Sequence, residues 1–162
     1  MIKALIKPDR IDKISTRRIV GASAHYTLES RVNIPAQWAN WEYRLVTDVK
    51  SNDVYGVSYD FEKPGEFSYI CGYEVVSDAK VPDGQSEVVL PGGAYAVFDH
   101  DGHVSEIAVI FDAIALGVAL PEGVEMAPGP QFEFYDKDHD PKTGMGKVEI
   151  WCPVRKTGQP SK

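Results

Sequence analysis

The chain has 162 residues, of which 43% are hydrophobic and 25% charged, a composition that suits one globular domain burying roughly 70% of its unfolded surface without staples. Its net charge of −7 comes with no basic stripe, which disfavours direct nucleic-acid binding and favours cationic ligands within about 8–10 Å in physiological salt. No apolar run reaches the ~20 residues of a membrane helix, Met1 to Arg10 lacks a signal-peptide core, and Cys71 and Cys152 stand singly in apolar runs, as buried thiols do in a reducing cytoplasm.

Residues 1–13 read as an N-terminal arm or a short leading strand. Ile19 to Glu29, rich in Val, Ala, Tyr and Thr, predicts a strand. Pro35 opens a helix over Ala36 to Val46, on which Trp38, Trp41 and Leu45 recur at helical spacing. Strands follow over Val54 to Tyr59 and Phe67 to Val76, separated by a Lys63-Pro64-Gly65 turn. Ser77 to Gln85 is polar and carries Pro82-Asp83-Gly84, as a boundary does. Beyond it, Ser86 to Phe98 is a strand pair, or one bent strand broken at Pro91-Gly92-Gly93. A helix over His103 to Leu116 lines up Ile107, Ile110, Phe111 and Ile114 on one face. A Pro/Gly-rich loop over Leu120 to Pro130 precedes strands at Phe132 to Tyr135 and Lys147 to Val154. The tail, Arg155 to Lys162, is polar and frayed.

The order strand, helix, strand, strand thus occurs twice, about residues 16–77 and 86–154. Val57-Ser58-Tyr59-Asp60 aligns with Glu133-Phe134-Tyr135-Asp136, and Tyr73-Glu74-Val75-Val76 with Trp151-Cys152-Pro153-Val154. A repeat of this length predicts an α+β fold of two βαββ modules about a pseudo-twofold axis, with antiparallel sheets, a helix on each, and a central ligand groove. Residues 14–154 form the single domain.

Side chains alternate along a strand. If the last two strands pair through the Asp136–Gly146 loop, one face is apolar and the other gathers Glu133, Tyr135, Glu149 and Trp151. A solvated sheet face explains these residues as well as a site does. In an apolar setting, however, a glutamate loses hydration and its pKa rises, unless a cation pairs with it. Aromatic rings then add about 0.5–2 kcal/mol each by cation–π attraction. Through the repeat, Val57 and Tyr59 take the places of Glu133 and Tyr135, and Cys71 and Tyr73 those of Glu149 and Trp151. Trp38 and Trp41 form a rim or lid, or pack the helix onto the sheet.

The run Pro91-Gly92-Gly93-Ala94-Tyr95-Ala96-Val97-Phe98 with His100-Asp101-Gly102-His103 resembles the central signature of GyrI-like small-molecule-binding domains. Phe132 to Tyr135 and Val148 to Val154 resemble the closing strands of that family. Tyr55 to Asp60 and Tyr69 to Val75 fit its first half. The resemblance implies twofold-related βαββ modules around a groove, with Glu149 and Glu133 meeting a ligand's positive charge beside Trp151 and Tyr135. The family includes gyrase-inhibitor-type proteins, effector-binding domains of multidrug-responsive AraC- and MerR-type activators, and stand-alone members from integron cassettes that bind cationic drugs. It also includes hydrolases of cyclopropane-bearing compounds.

The reading is therefore a binding module for cationic amphipathic molecules, monomeric or dimeric, with no cofactor and no metal. Its ligand-binding residues are Glu149, Glu133, Trp151, Tyr135, Tyr73, Tyr59, Val57, Cys71, Trp38 and Trp41. One alternative is a hydrolase of strained electrophiles with a glutamate as general base. Another is a protein that engages a topoisomerase or a transcription regulator. The chain leaves no room for a helix-turn-helix before Ile14. Asp99-His100-Asp101-Gly102-His103 has metal-ligand chemistry, but reads as a helix-start loop capped by Asp101. Asp136 to Asp140 resembles a calcium loop whose sixth and twelfth positions hold Pro141 and Lys147.

Overall fold

The computed structural model describes residues 5–158. The first four residues of the expected arm and the last four of the expected tail lie outside them. Nine strands form: β1 Arg10–Ile14, β2 Arg17–Thr27, β3 Val49–Tyr59, β4 Glu66–Val75, β5 Ser86–Leu90, β6 Gly93–His103, β7 Val124–Met126, β8 Gln131–Tyr135 and β9 Met145–Lys156. The described residues also form two α-helices, α1 Ile34–Asn40 and α2 Ile107–Ala115.

Eight strands lie in one antiparallel sheet in the order β1-β6-β9-β8-β3-β4-β2-β5, and β7 pairs with the end of β9. The sheet curls because its two ends share a seam. Pairing runs in unbroken register from Arg10↔Val97 to Ile14↔Gly93, and resumes from Arg17↔Leu90 to Gly21↔Ser86. In effect β1 and β2 are one strand bent at Ser15-Thr16, and β5 and β6 one strand bent at Pro91-Gly92. The Gly92 N–H donates to Thr16 Oγ1 at 3.1 Å across the bend. The sequence left open whether Ser86 to Phe98 was two strands or one bent strand; the seam makes it both.

The curl gives the sheet two unlike faces. Ile19, Val57, Ile70, Leu90, Val97 and Phe132, all fully buried, fill the inner face, with Tyr55, Tyr95 and Trp151 among them. Phe132 stacks on Trp151 with centroids 5.5 Å apart and planes 10° from parallel. Both helices cover the outer face. On α2 the predicted stripe holds: Ile107 and Ile114 are buried, and Ile110 and Phe111 pack beside them over Phe98, Ile150 and Cys152.

Several expectations change. The halves do not form separate sheets across a groove; they join edge to edge where β3 pairs β8. Of the two readings of residues 1–13, the short leading strand forms from Arg10 as β1, an edge strand of the sheet. The first helix is shorter than Ala36 to Val46, because Trp41 turns extended (ψ 124°) and only a 3-10 turn, Tyr43–Leu45, follows. The second begins at Ile107 after a 3-10 turn at Val104–Glu106. Residues 99–103 continue β6 instead of opening the helix, so Asp101 caps nothing: the His103 ring caps the 3-10 turn by accepting from the Ser105 N–H, and α2 itself has no side-chain cap. The Leu120–Pro130 loop contains β7, and β9 extends through Arg155 and Lys156 of the supposed frayed tail.

Where β2 pairs β4, Gly21 faces Gly72. A Cβ on Gly21 would lie 1.8 Å from the Cys71 carbonyl oxygen. Backbone cannot yield as a side chain can, so Gly21→Ala is expected to destabilise by about 3 kcal/mol. Thermal unfolding should show Tm lowered by roughly 10 °C. An unchanged Tm would mean that the curl does not depend on this close approach.

Candidate functional site

Antiparallel register decides what can meet. Phe132 pairs with Trp151, Glu133 with Ile150, Phe134 with Glu149 and Tyr135 with Val148. Glu133 and Tyr135 therefore share the outer face with Val148 and Ile150, while Glu149 and Trp151 share the inner face with Phe132 and Phe134. The expected quartet of Glu133, Tyr135, Glu149 and Trp151 on one face does not form. The reason is that a one-residue offset in register sends every side chain to the opposite face.

The same offset breaks the residue-by-residue repeat. Gly56, not Val57, lies opposite Glu133 in the β3–β8 ladder. Val57 and Tyr59 point inward, Val57 fully buried and Tyr59 with its hydroxyl 2.6 Å from Ser23 Oγ. Cys71 and Tyr73 lie on the outer face, since Cys71 pairs with Gly56 and Tyr73 with Val54. The ten expected residues thus divide. Glu133, Tyr135, Cys71, Tyr73, Trp38 and Trp41 gather outside, and Glu149, Trp151, Val57 and Tyr59 inside.

On the outer face, Glu133 is the only buried charged residue among those described, 6% exposed. Tyr135 donates its hydroxyl to Glu133 Oε1 at 2.5 Å, and Tyr69 donates to the same oxygen at 3.1 Å. Oε2 receives neither. The space for the Tyr69 hydroxyl exists because residue 56 is glycine: a Cβ there would lie 2.1 Å from it. No Lys, Arg or His forms an ion pair with Glu133 among the described residues.

Burial pushes the Glu133 carboxyl up to about 7, against the two hydroxyls that hold it down. The same burial, with the Glu133 charge nearby, raises Tyr69 and Tyr135 well above the ordinary phenol range. Burial also raises the Cys71 thiol, which makes it an unreactive wall of the cluster.

Helix α1 roofs this cluster. Pro35 starts it without needing a hydrogen bond there, yet none of its seven residues is buried. Trp38 packs edge-on against Tyr135 at 5.5 Å and Tyr69 at 6.4 Å, and its indole N–H donates to the Tyr69 hydroxyl at 3.1 Å. Trp41 packs on Tyr73 at 5.1 Å, and its indole nitrogen is buried without a partner. Gln37 pins the helix: its amide donates to the carbonyls of Ala22 and Tyr69 and accepts from the Tyr26 hydroxyl. Tyr69 and Gln37 were not among the residues expected. Alternation from Cys71 and Tyr73 would have pointed to Tyr69, whereas Gln37 has no sequence signal.

Glu149 has a different setting. It accepts from Arg10 Nη2 at 2.9 Å and from Trp151 Nε1 at 3.0 Å. Among the described residues no three His, Cys, Asp or Glu side chains are grouped as a metal site would need, at Asp99–His103 or elsewhere. Among the described residues no helix is long and apolar enough to cross a membrane.

A curled antiparallel sheet with two helices on one face is an α+β scaffold of the effector-binding kind. The chain belongs to the family of the integron-associated effector binding protein, Cass2, whose model matches residues 10–154. It resembles the integron cassette protein of Vibrio cholerae, with 20% identity over 90% of this chain and 95% of that one and a TM-score of 0.65. The structure of SAV2435 bound to tetraphenylphosphonium is also similar, with 19% identity, coverage of 90% and 93%, and a TM-score of 0.67. Among curated proteins, the transcriptional regulator BrlR of Pseudomonas aeruginosa is 35% identical over 91 residues. That match spans 56% of this chain and 34% of BrlR, about a third of the regulator's length.

The raised Glu133 pKa ties stability to pH. A carboxyl protonated more readily in the folded state stabilises fully below its unfolded value, near 4.5, and that contribution is lost as pH rises through about 7. The loss is on the order of 3 kcal/mol. Glu133→Gln should abolish it, so the Tm of the variant should gain on wild type between pH 5 and pH 8. Parallel Tm profiles would show that Glu133 is not held as described.

Proposed function

We propose that this protein binds cationic, amphipathic small molecules, with Glu133 as the charge partner and Tyr69, Tyr135, Trp38, Trp41 and Tyr73 as aromatic walls. The observation that carries this reading is a buried carboxylate without a counter-cation beneath a helix that buries no residue. A bound cation would supply the missing charge, with Oε2 open to it and aromatic faces on several sides. Two surface cavities of about 170 Å³ each lie elsewhere, beside Pro91 and Pro153 and beside His25 and Glu66. A ligand therefore enters by lifting α1, which means breaking the Gln37 and Trp38 hydrogen bonds at about 0.5–1.5 kcal/mol each. A lipophilic cation on a protein of similar fold, tetraphenylphosphonium on SAV2435, supports this choice of ligand class. The two βαββ halves then serve as one cytoplasmic effector module, whose output passes to a regulator such as the one BrlR represents.

Titration of tryptophan fluorescence with tetraphenylphosphonium tests this. Micromolar binding, about −8 kcal/mol, is expected, with affinity reduced at least tenfold in Glu133→Gln. The neutral triphenylphosphine oxide should bind much more weakly. Because the cation prefers ionised Glu133, affinity should rise about tenfold from pH 6 to pH 8. Equal binding of charged and neutral compounds, or a flat pH profile, would refute the role of Glu133.

A near-neutral carboxyl hydrogen-bonded to a phenol also suits a general base, which keeps hydrolysis of strained electrophiles as a second reading. It predicts multiple turnovers that Glu133→Gln abolishes while the fold survives.

A further inference from the structure

The far end of the β2–β4 ladder carries a side-chain cluster that plays no part around Glu133. There His25 lies opposite Ser68, and Thr27 opposite Glu66. Alternation puts Ser68 and Glu66 on one face of β4 and His25 on the matching face of β2. The imidazole stands between the other two groups. Its Nδ1 is 3.4 Å from Ser68 Oγ, and its Nε2 is 3.0 Å from Glu66 Oε1. One neutral tautomer satisfies both contacts: Nε2–H donates to the carboxylate, and the bare Nδ1 accepts from the hydroxyl. The hydrogen bond from His25 also holds the Glu66 carboxyl below its ordinary range.

Hydroxyl, imidazole and carboxylate in this order form the relay that activates a serine nucleophile, and it is recognised by geometry and roles. Here Nδ1 faces the serine, which selects the other tautomer but leaves the proton path the same. Paired strands hold all three residues, so their placement is more precise than a loop would give. The Ser68–His25 contact is long, as such contacts often are before a substrate binds. His25 is half-exposed, within reach of substrate and water. With Glu66 it lines a cavity of about 170 Å³, whose other walls are Asp60, Glu62 and Lys63. Lys63 supplies that cavity with a positive charge, the kind that stabilises an oxyanion.

We propose that Ser68, His25 and Glu66 form a hydrolytic site for small esters, served by this cavity. Ser68 Oγ attacks the ester carbonyl carbon, and its proton passes to His25 Nδ1. The bond from that carbon to the leaving oxygen then breaks, and His25 gives the proton to the departing alcohol. A water molecule repeats the sequence on the acyl-serine, which releases the acid and restores Ser68. Glu66 exchanges no proton; it orients the ring and stabilises its charged form.

The probe is 4-nitrophenyl acetate, followed by release of 4-nitrophenolate and by mass spectrometry of the digested protein. Wild type should turn the ester over and carry its acetyl group on Ser68. In so exposed a setting the effect belongs at the lower end of general-base catalysis, so Ser68→Ala and His25→Gln should each slow release roughly a hundredfold. Glu66→Gln should slow acylation without changing where the acetyl group goes. A general base acting on water, as Glu133 would, leaves no acyl-serine, so the adduct separates the two sites. Equal rates in wild type and Ser68→Ala, acylation unchanged in Glu66→Gln, or an acetyl group on lysine in place of Ser68 would overturn the proposal. A serine-directed fluorophosphonate needs no variant: it should label Ser68 of the wild type one to one, and no label there would overturn the proposal equally.

Discussion

The pairing of Phe132 with Trp151 across β8 and β9 governs which face each neighbouring side chain reaches. The two rings stack within the inner core, and burying such side chains contributes about 1.5–3 kcal/mol apiece. A slip of β8 by one residue would carry Phe132 to the opposite face, away from Trp151, and bring Glu133 inside. Register is therefore strongly determined here. Its consequence is that one sheet presents two acidic residues to two different environments. Glu133 is buried, beneath α1, and held only by hydroxyls. Glu149 is half-exposed, at the rim of the inner face, and held by a guanidinium and an indole.

The contrast shows how environment divides labour between like residues. An unpaired buried carboxylate is costly and tends to take up a proton. The protein tolerates it by surrounding it with weak donors, and by covering it with an element of low local stability. Helix α1 fits that description, since it is short, buries none of its own residues, and is secured mainly by Gln37 and Trp38. Elements that move in binding are drawn from this end of the stability range. The orphaned Trp41 indole nitrogen adds to the strain of the covered state.

Much of the fold was legible in the sequence because periodicity reports local structure faithfully. The stripe Ile107, Ile110, Phe111 and Ile114 gave α2 its buried face, and alternation gave β4, β8 and β9. The Pro91-Gly92-Gly93 break fits either two strands or one bent strand, and the seam explains why. What periodicity cannot report is parity between strands. Whether Glu133 and Glu149 share a face depends on the turn inside Asp136–Gly146, where Asp140 bridges to Met145 and Gly144 takes a positive φ of 72°. Periodicity thus marks the residues of the candidate site on their strands without showing which of them share a face. Gln37 was hidden for a related reason: its amide matters only because a curled sheet brings the carbonyls of Ala22 and Tyr69 beneath it.

The seam also bears on how the chain acquires its shape. Arg10 meets Asp99 across 89 residues of sequence and Glu149 across 139. Contacts at such separations must overcome a large loop-closure entropy before they reward the chain. On a ribosome, β1 has no partner until β6 has emerged, and β6 has no second neighbour until β9 follows. The hairpin of β3 and β4 needs far less chain and can form first. Closure of the curled sheet accordingly waits until β9 has been made. Until then the apolar side of β1 and β2 stays open to other chains, a vulnerable interval for newly made molecules.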